Sequence, residues 1–134
     1  MEDFIRLTIT PYLVIGGILT MTPLLFALAP GKAVSRMLKL TWDEKYTILV
    51  RHWGFLVTLV GVSLIIAIFV KSLLFPVMVF STVQKLFMVM LFFSYLKKPW
   101  ASGFRAIGIA DSLMVLYSLL YFAALAVKGS IALY

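Results

Sequence analysis

Cysteine is absent from the chain. That excludes disulfides, thiolate metal sites and dithiol redox chemistry. Histidine occurs once, as His52, so a bis-histidine haem would need its second ligand from another chain. Acidic side chains are few, five against twelve Lys and Arg, and charged residues make up 13% of the chain. A soluble domain carries roughly 25%. No nucleophile–base pair and no His/Asp/Glu cluster is visible, so the expectation is a chain that is not an enzyme and holds no metal.

What the sequence does have is apolar surface. Hydrophobic residues make up 63% of the 134 positions, and the mean hydropathy is +1.10. A soluble fold of this size could not hide so much apolar side chain, so lipid must cover much of it. The formal net charge is +7. The basic residues flank apolar runs, which points to topology signals and lipid headgroups, with no nucleic acid.

The pattern predicts an all-α fold: a single domain over 1–134, forming an antiparallel bundle of four transmembrane helices. The spans fall at about 5–29, 42–71, 73–96 and 103–127. Ala27-Leu28-Ala29 resembles a signal-peptide cleavage site, but the acidic start and the long apolar run favour a retained span. Pro30-Gly31 ends the first span, and Gly129 can end the fourth. Thr41-Trp42-Asp43-Glu44 fits a capping box with Thr41 as N-cap. Pro76 is tolerated in the first turn of span 3.

Between spans 1 and 2, Lys32, Arg36 and Lys39 recur at helical spacing, opposite Ala33, Val34, Met37 and Leu38. A short amphipathic helix on the membrane surface is expected there. Lys32, Arg36, Lys39, Lys97, Lys98 and Arg105 are read as headgroup contacts. With Lys45 and Arg51 they outnumber Arg6, Lys71 and Lys128 at the other end. The positive-inside rule then sets loops 1 and 3 in the cytoplasm and both termini outside, in a bacterial cytoplasmic membrane.

Each span carries a stripe of small or polar residues. These are Thr8, Tyr12, Gly16 and Thr20; Arg51, Gly54, Thr58 and Gly61; Ser81, Thr82 and Lys85, with Gln84 adjacent; and Gly108, Asp111 and Ser118. Such residues let membrane helices approach closely, so Gly16, Gly54, Thr58, Gly61 and Gly108 are packing candidates. Intramembrane charge is costly, about 2.5–3.5 kcal/mol per Asp, Lys or Arg on insertion scales. That singles out Arg51, Lys85 and Asp111, with His52 and Gln84 beside them, as structural or ligand candidates. Counted from Arg105, Asp111 lies roughly 9 Å deep, within reach of Arg51. The expected pair is therefore Arg51–Asp111, with Lys85–Asp111 as the alternative. Lys85 would then be neutral, bonded to Gln84 and Ser81, or completed by an anionic ligand.

Arg51-His52-Trp53-Gly54, a glycine-spaced span, and then Lys85 and Asp111 in mid-span resemble small uncharacterised DoxX-like bacterial four-helix membrane proteins. The resemblance covers roughly residues 45 to 122. It implies the four-helix bundle and carries no established activity.

Three roles follow from this composition. The first expectation is an accessory or structural subunit packed against a larger membrane complex or its own copies, since Phe and Met are abundant, eleven and seven. The second is a binder of a lipophilic small molecule (quinone, lipid or pigment) in the bundle, with a bound lipid or lipophilic cofactor as the ligand. The third is a small oligomeric transporter or channel.

Overall fold

The computed structural model describes residues 2–128 and is almost wholly helical. The backbone runs α1 (Glu2–Met21), α2 (Leu24–Leu28), α3 (Pro30–Ala33), α4 (Thr47–Phe69), α5 (Leu74–Tyr95) and α6 (Arg105–Lys128). Four helical segments, Asp3–Leu28, Glu44–Phe69, Lys71–Tyr95 and Pro99–Val127, are long and apolar enough to cross a membrane. The expected four-helix architecture is observed. The Lys128 side chain and the Gly129 stop lie outside the described residues.

The first span is broken where the sequence predicted one helix. Pro23 has no backbone N–H and cannot continue the hydrogen-bond ladder. Leu19 O instead accepts from Thr22 N at 3.2 Å and from Thr22 Oγ1 at 2.8 Å. The chain then resumes as α2. The start of span 2 also differs from the expected capping box. Among the described residues Thr41 caps none: Asp43 is the cap, its Oδ1 accepting from Lys45 N at 3.1 Å. A 3-10 turn, Glu44–Tyr46, leads into α4. A carboxylate one residue from the first turn outcompetes a hydroxyl three residues away. Lys45 beside it also holds the Asp43 carboxyl below its ordinary value of 3.8.

The short amphipathic helix is present, as α3 followed by a π turn over Val34–Leu38. Lys32, Arg36 and Lys39 are exposed, while Ala33, Val34 and Leu38 are buried. Met37, expected on the apolar side, is 40% exposed, because the wider π turn rotates it off the buried face. That face packs on Phe26, Trp53 and Phe104 of the bundle, so protein takes the place expected for lipid.

The four spans form a ring in the order α1–α4–α5–α6, with α1 returning to α6. Glycine lets α4 lie close against the first span. A β-carbon on Gly61 would sit 2.7 Å from Gly17 O, and one on Gly54 would sit 2.6 Å from Pro23 O. These backbones can approach because α4 carries no side chain at either position, and α1 carries none at Gly17. At Gly16 an added β-carbon meets only Met114 Cε, at 2.5 Å, and at Gly108 it meets the Phe92 ring. Thr58 is buried and donates to Gly54 O at 2.7 Å.

Two apolar clusters result. One joins Ile5, Ile9, Leu13, Leu64, Met78 and Tyr121. The other joins Phe26, Ala33, Val34 and Leu38 at the opposite end, where loops 1 and 3 meet. On α6, Ile107 packs against the second cluster and Met114 belongs to the first. Asp111 lies between them, so the polar groups occupy a layer between two apolar ones.

Candidate functional site

Lys85 on α5 and Asp111 on α6 form that layer. Nζ donates to Oδ1 at 2.6 Å, and the residues are only 3% and 8% exposed. Burying either charge alone costs several kcal/mol, and close pairing offsets it. The expected Arg51–Asp111 pair is therefore not formed. Two physical reasons account for this. First, α4 and α6 are diagonal in the ring, and Arg51 is exposed on α4. Second, the helical path into the bundle starts at the 3-10 turn Pro99–Phe104, not at Arg105. Asp111 is twelve residues past Pro99, and Lys85 is twelve before Lys97. The two side chains thus reach the same depth from opposite directions.

The alternative pair, Lys85–Asp111, is the one observed, and it takes the place of the bonds to Gln84 and Ser81 that were one option for an unpaired Lys85. Gln84 Oε1 and Ser81 Oγ are buried and have no hydrogen-bond partner among the described residues. His52 is exposed and does not join the pair. Trp53, its neighbour, turns inward and meets Phe26 edge-on, with ring centroids 5.3 Å apart.

A cavity of about 240 Å³ adjoins the pair. Thr20 and Phe26 line it from the first span, Trp53 and Val57 from α4, Gln84 and Met88 from α5, and Ala110 from α6. Thr22 and Pro23, at the break between α1 and α2, also line it. A second space of about 800 Å³ runs between α4 and α5, lined by Leu56, Val60, Val77, Phe80 and Phe87. Trp53, Val57, Gln84 and Met88 line both spaces. The two are therefore neighbours across one wall.

No protein-family model, curated protein or solved structure matches this chain. Its chemistry must be argued from the site itself. No group of three His, Asp or Glu that could hold a metal occurs among the described residues.

A third polar set ties α1 to α6. Tyr12 Oη and Ser118 Oγ are 2.9 Å apart, as are Thr8 Oγ1 and Tyr117 Oη. The Tyr12 and Tyr117 rings stack with centroids 4.1 Å apart. These hydroxyls satisfy one another, so they hold helices together and offer little to a ligand. Sequence pattern pointed to Thr8, Tyr12 and Ser118. It missed Tyr117, Gly17, Met88 and Ala110. The small size of Gly17 and Ala110 was the only available signal.

Proposed function

We propose that this chain is a non-catalytic integral membrane protein that holds a lipophilic small molecule beside the Lys85–Asp111 pair. One observation carries the reading: a buried, charge-paired polar layer opens onto a cavity of about 240 Å³. Ligand sites are concave and mostly apolar, with a few convergent polar groups. An ion pair needed only for packing could be surrounded by close-packed side chains, as interiors usually are.

The accessory-subunit role rests on apolar outer faces. Phe55, Phe69, Phe75, Phe80, Phe87 and Phe93 are all more than half exposed. Lipid and a protein partner cover such faces equally well, so they favour neither. The cavity favours a ligand. For topology, we propose a cytoplasmic side for loops 1 and 3 in a bacterial inner membrane. The support is that the Lys32, Arg36 and Lys39 segment and the Lys97 and Lys98 segment meet at one end of the bundle.

Native mass spectrometry of the protein, extracted in nanodiscs from its own membrane, tests the function. A small molecule retained at one per chain supports the proposal. Larger subunits at fixed stoichiometry, with no retained molecule, contradict it and establish the accessory role.

A further inference from the structure

We infer that the ligand is a single-chain lipid with an uncharged hydroxyl or carbonyl head: the head meets Lys85, Asp111 and Gln84, and the chain lies between α4 and α5. This rests on the ligand-binding reading and adds the chemical class.

Charge comes first. Lys85 and Asp111 sum to zero whether the proton sits on nitrogen or on oxygen. Among the described residues, no other charged side chain lines either space. A phosphate, carboxylate or ammonium head would enter this low-dielectric layer with nothing left to balance it, and a buried unbalanced charge is strongly disfavoured. A neutral head carries no such penalty.

Hydrogen bonding comes second. The Lys85 ammonium has three N–H donors, and one goes to Asp111. Gln84 Oε1 is buried and accepts no hydrogen bond among the described residues. Lys85 and Gln84 both line the smaller cavity together with Asp111. Donor and acceptor are thus offered side by side. A hydroxyl answers both, accepting from Lys85 and donating to Asp111 or Gln84; a carbonyl answers the donor alone.

Size comes third. About 240 Å³ admits a head group and excludes most of a long chain. The chain needs the adjoining apolar space of about 800 Å³. The shared wall of Trp53, Val57, Gln84 and Met88 is where head and chain would join. Met88 is an unbranched side chain that can shift to let a chain pass.

The test uses four diazirine-bearing hexadecyl probes: an alcohol, a sulfonate, a quaternary ammonium and the plain hydrocarbon. Each is crosslinked to the full chain in nanodiscs at equal mole fraction, and labelled peptides are mapped. The alcohol is expected to label Val60 and Met88, which lie deeper than the outward-facing Phe80 and Phe87, about ten-fold more than the other three. That preference should vanish in the Lys85→Met/Asp111→Leu double variant. It should also vanish in Ala110→Phe, which fills the head cavity and leaves the ion pair intact, so the test survives if the double variant fails to fold. If a charged head labels best, the neutral-head inference is overturned while ligand binding stands. If all four label alike, or the alcohol's preference survives in Ala110→Phe, the inference is overturned as well, because the chain is then only annular lipid. The ligand-binding reading in that case is decided separately by the native mass spectra.

Discussion

Removing one member of the buried pair should destabilise the bundle far more than removing both. At 2.6 Å, the attraction is about 6 kcal/mol at an effective dielectric of about 20. Desolvation of the two groups offsets most of that, so the pair as a whole adds little net stability. A lone survivor behaves differently. Lys85→Met leaves Asp111 buried without its cation, and Asp111→Leu leaves Lys85 without its anion. Each should cost about 3–5 kcal/mol, and the double variant should return to within about 1 kcal/mol of the parent. Equilibrium unfolding in mixed SDS micelles reads the full double-mutant cycle. Arg51→Met is the control. Arg51 is exposed, and its loss should stay within about 0.5 kcal/mol. If Arg51→Met costs as much as Lys85→Met, or if the two pair mutations simply add, the reasoning is refuted.

The close contacts make further predictions. Gly54→Ala would drive a β-carbon into Pro23 O and Ala27 N, and should cost about 1–3 kcal/mol. Gly16→Ala meets only the flexible end of Met114 and should cost under about 1 kcal/mol in the same unfolding assay; equal losses would contradict the packing argument. The Asp43 cap depends on its charged form, and its folded value lies below the ordinary 3.8. The cap is therefore fully held above 3.8 and released as pH falls through that lowered value. The Lys45 amide chemical shift follows this directly, and a transition at or above 3.8 would rule it out. The chain has no cysteine, so single substitutions report topology cleanly. A membrane-impermeant maleimide added to intact cells should label Ser72→Cys, and should reach Ser35→Cys and Ser102→Cys only after the membrane is opened. The reverse pattern would invert the proposed orientation.

Much of the architecture was legible because a membrane imposes a simple rule. Each span needs about 20 apolar residues, and four such runs stand apart in the chain. Lys85 and Asp111 stood out for the same reason, as costly groups inside those runs. Their pairing was not legible. Depth along one helix can be counted from sequence, but the ring order that makes α5 and α6 neighbours cannot. The count for Asp111 also began one element late, because nothing in Pro99–Phe104 marks it as an already descending turn. Gly17 escaped notice since it lies one position off the Thr8, Tyr12, Gly16 and Thr20 stripe, yet it faces Gly61. Pro23 was readable as a breaker and was absorbed into a long apolar run. The cavity beside Asp111 is lined by that break and by Ala110 together, and no local pattern announces such a coincidence.

The claim that this cavity is a ligand site is tested most directly by filling it. Ala110→Phe should keep the ion pair and the folded bundle, confirmed by SDS unfolding. Native mass spectrometry of parent and variant from the same membrane should then show a small molecule on the parent and none on the variant. Equal retention by a folded Ala110→Phe protein, or no retained molecule on the parent, would contradict the account.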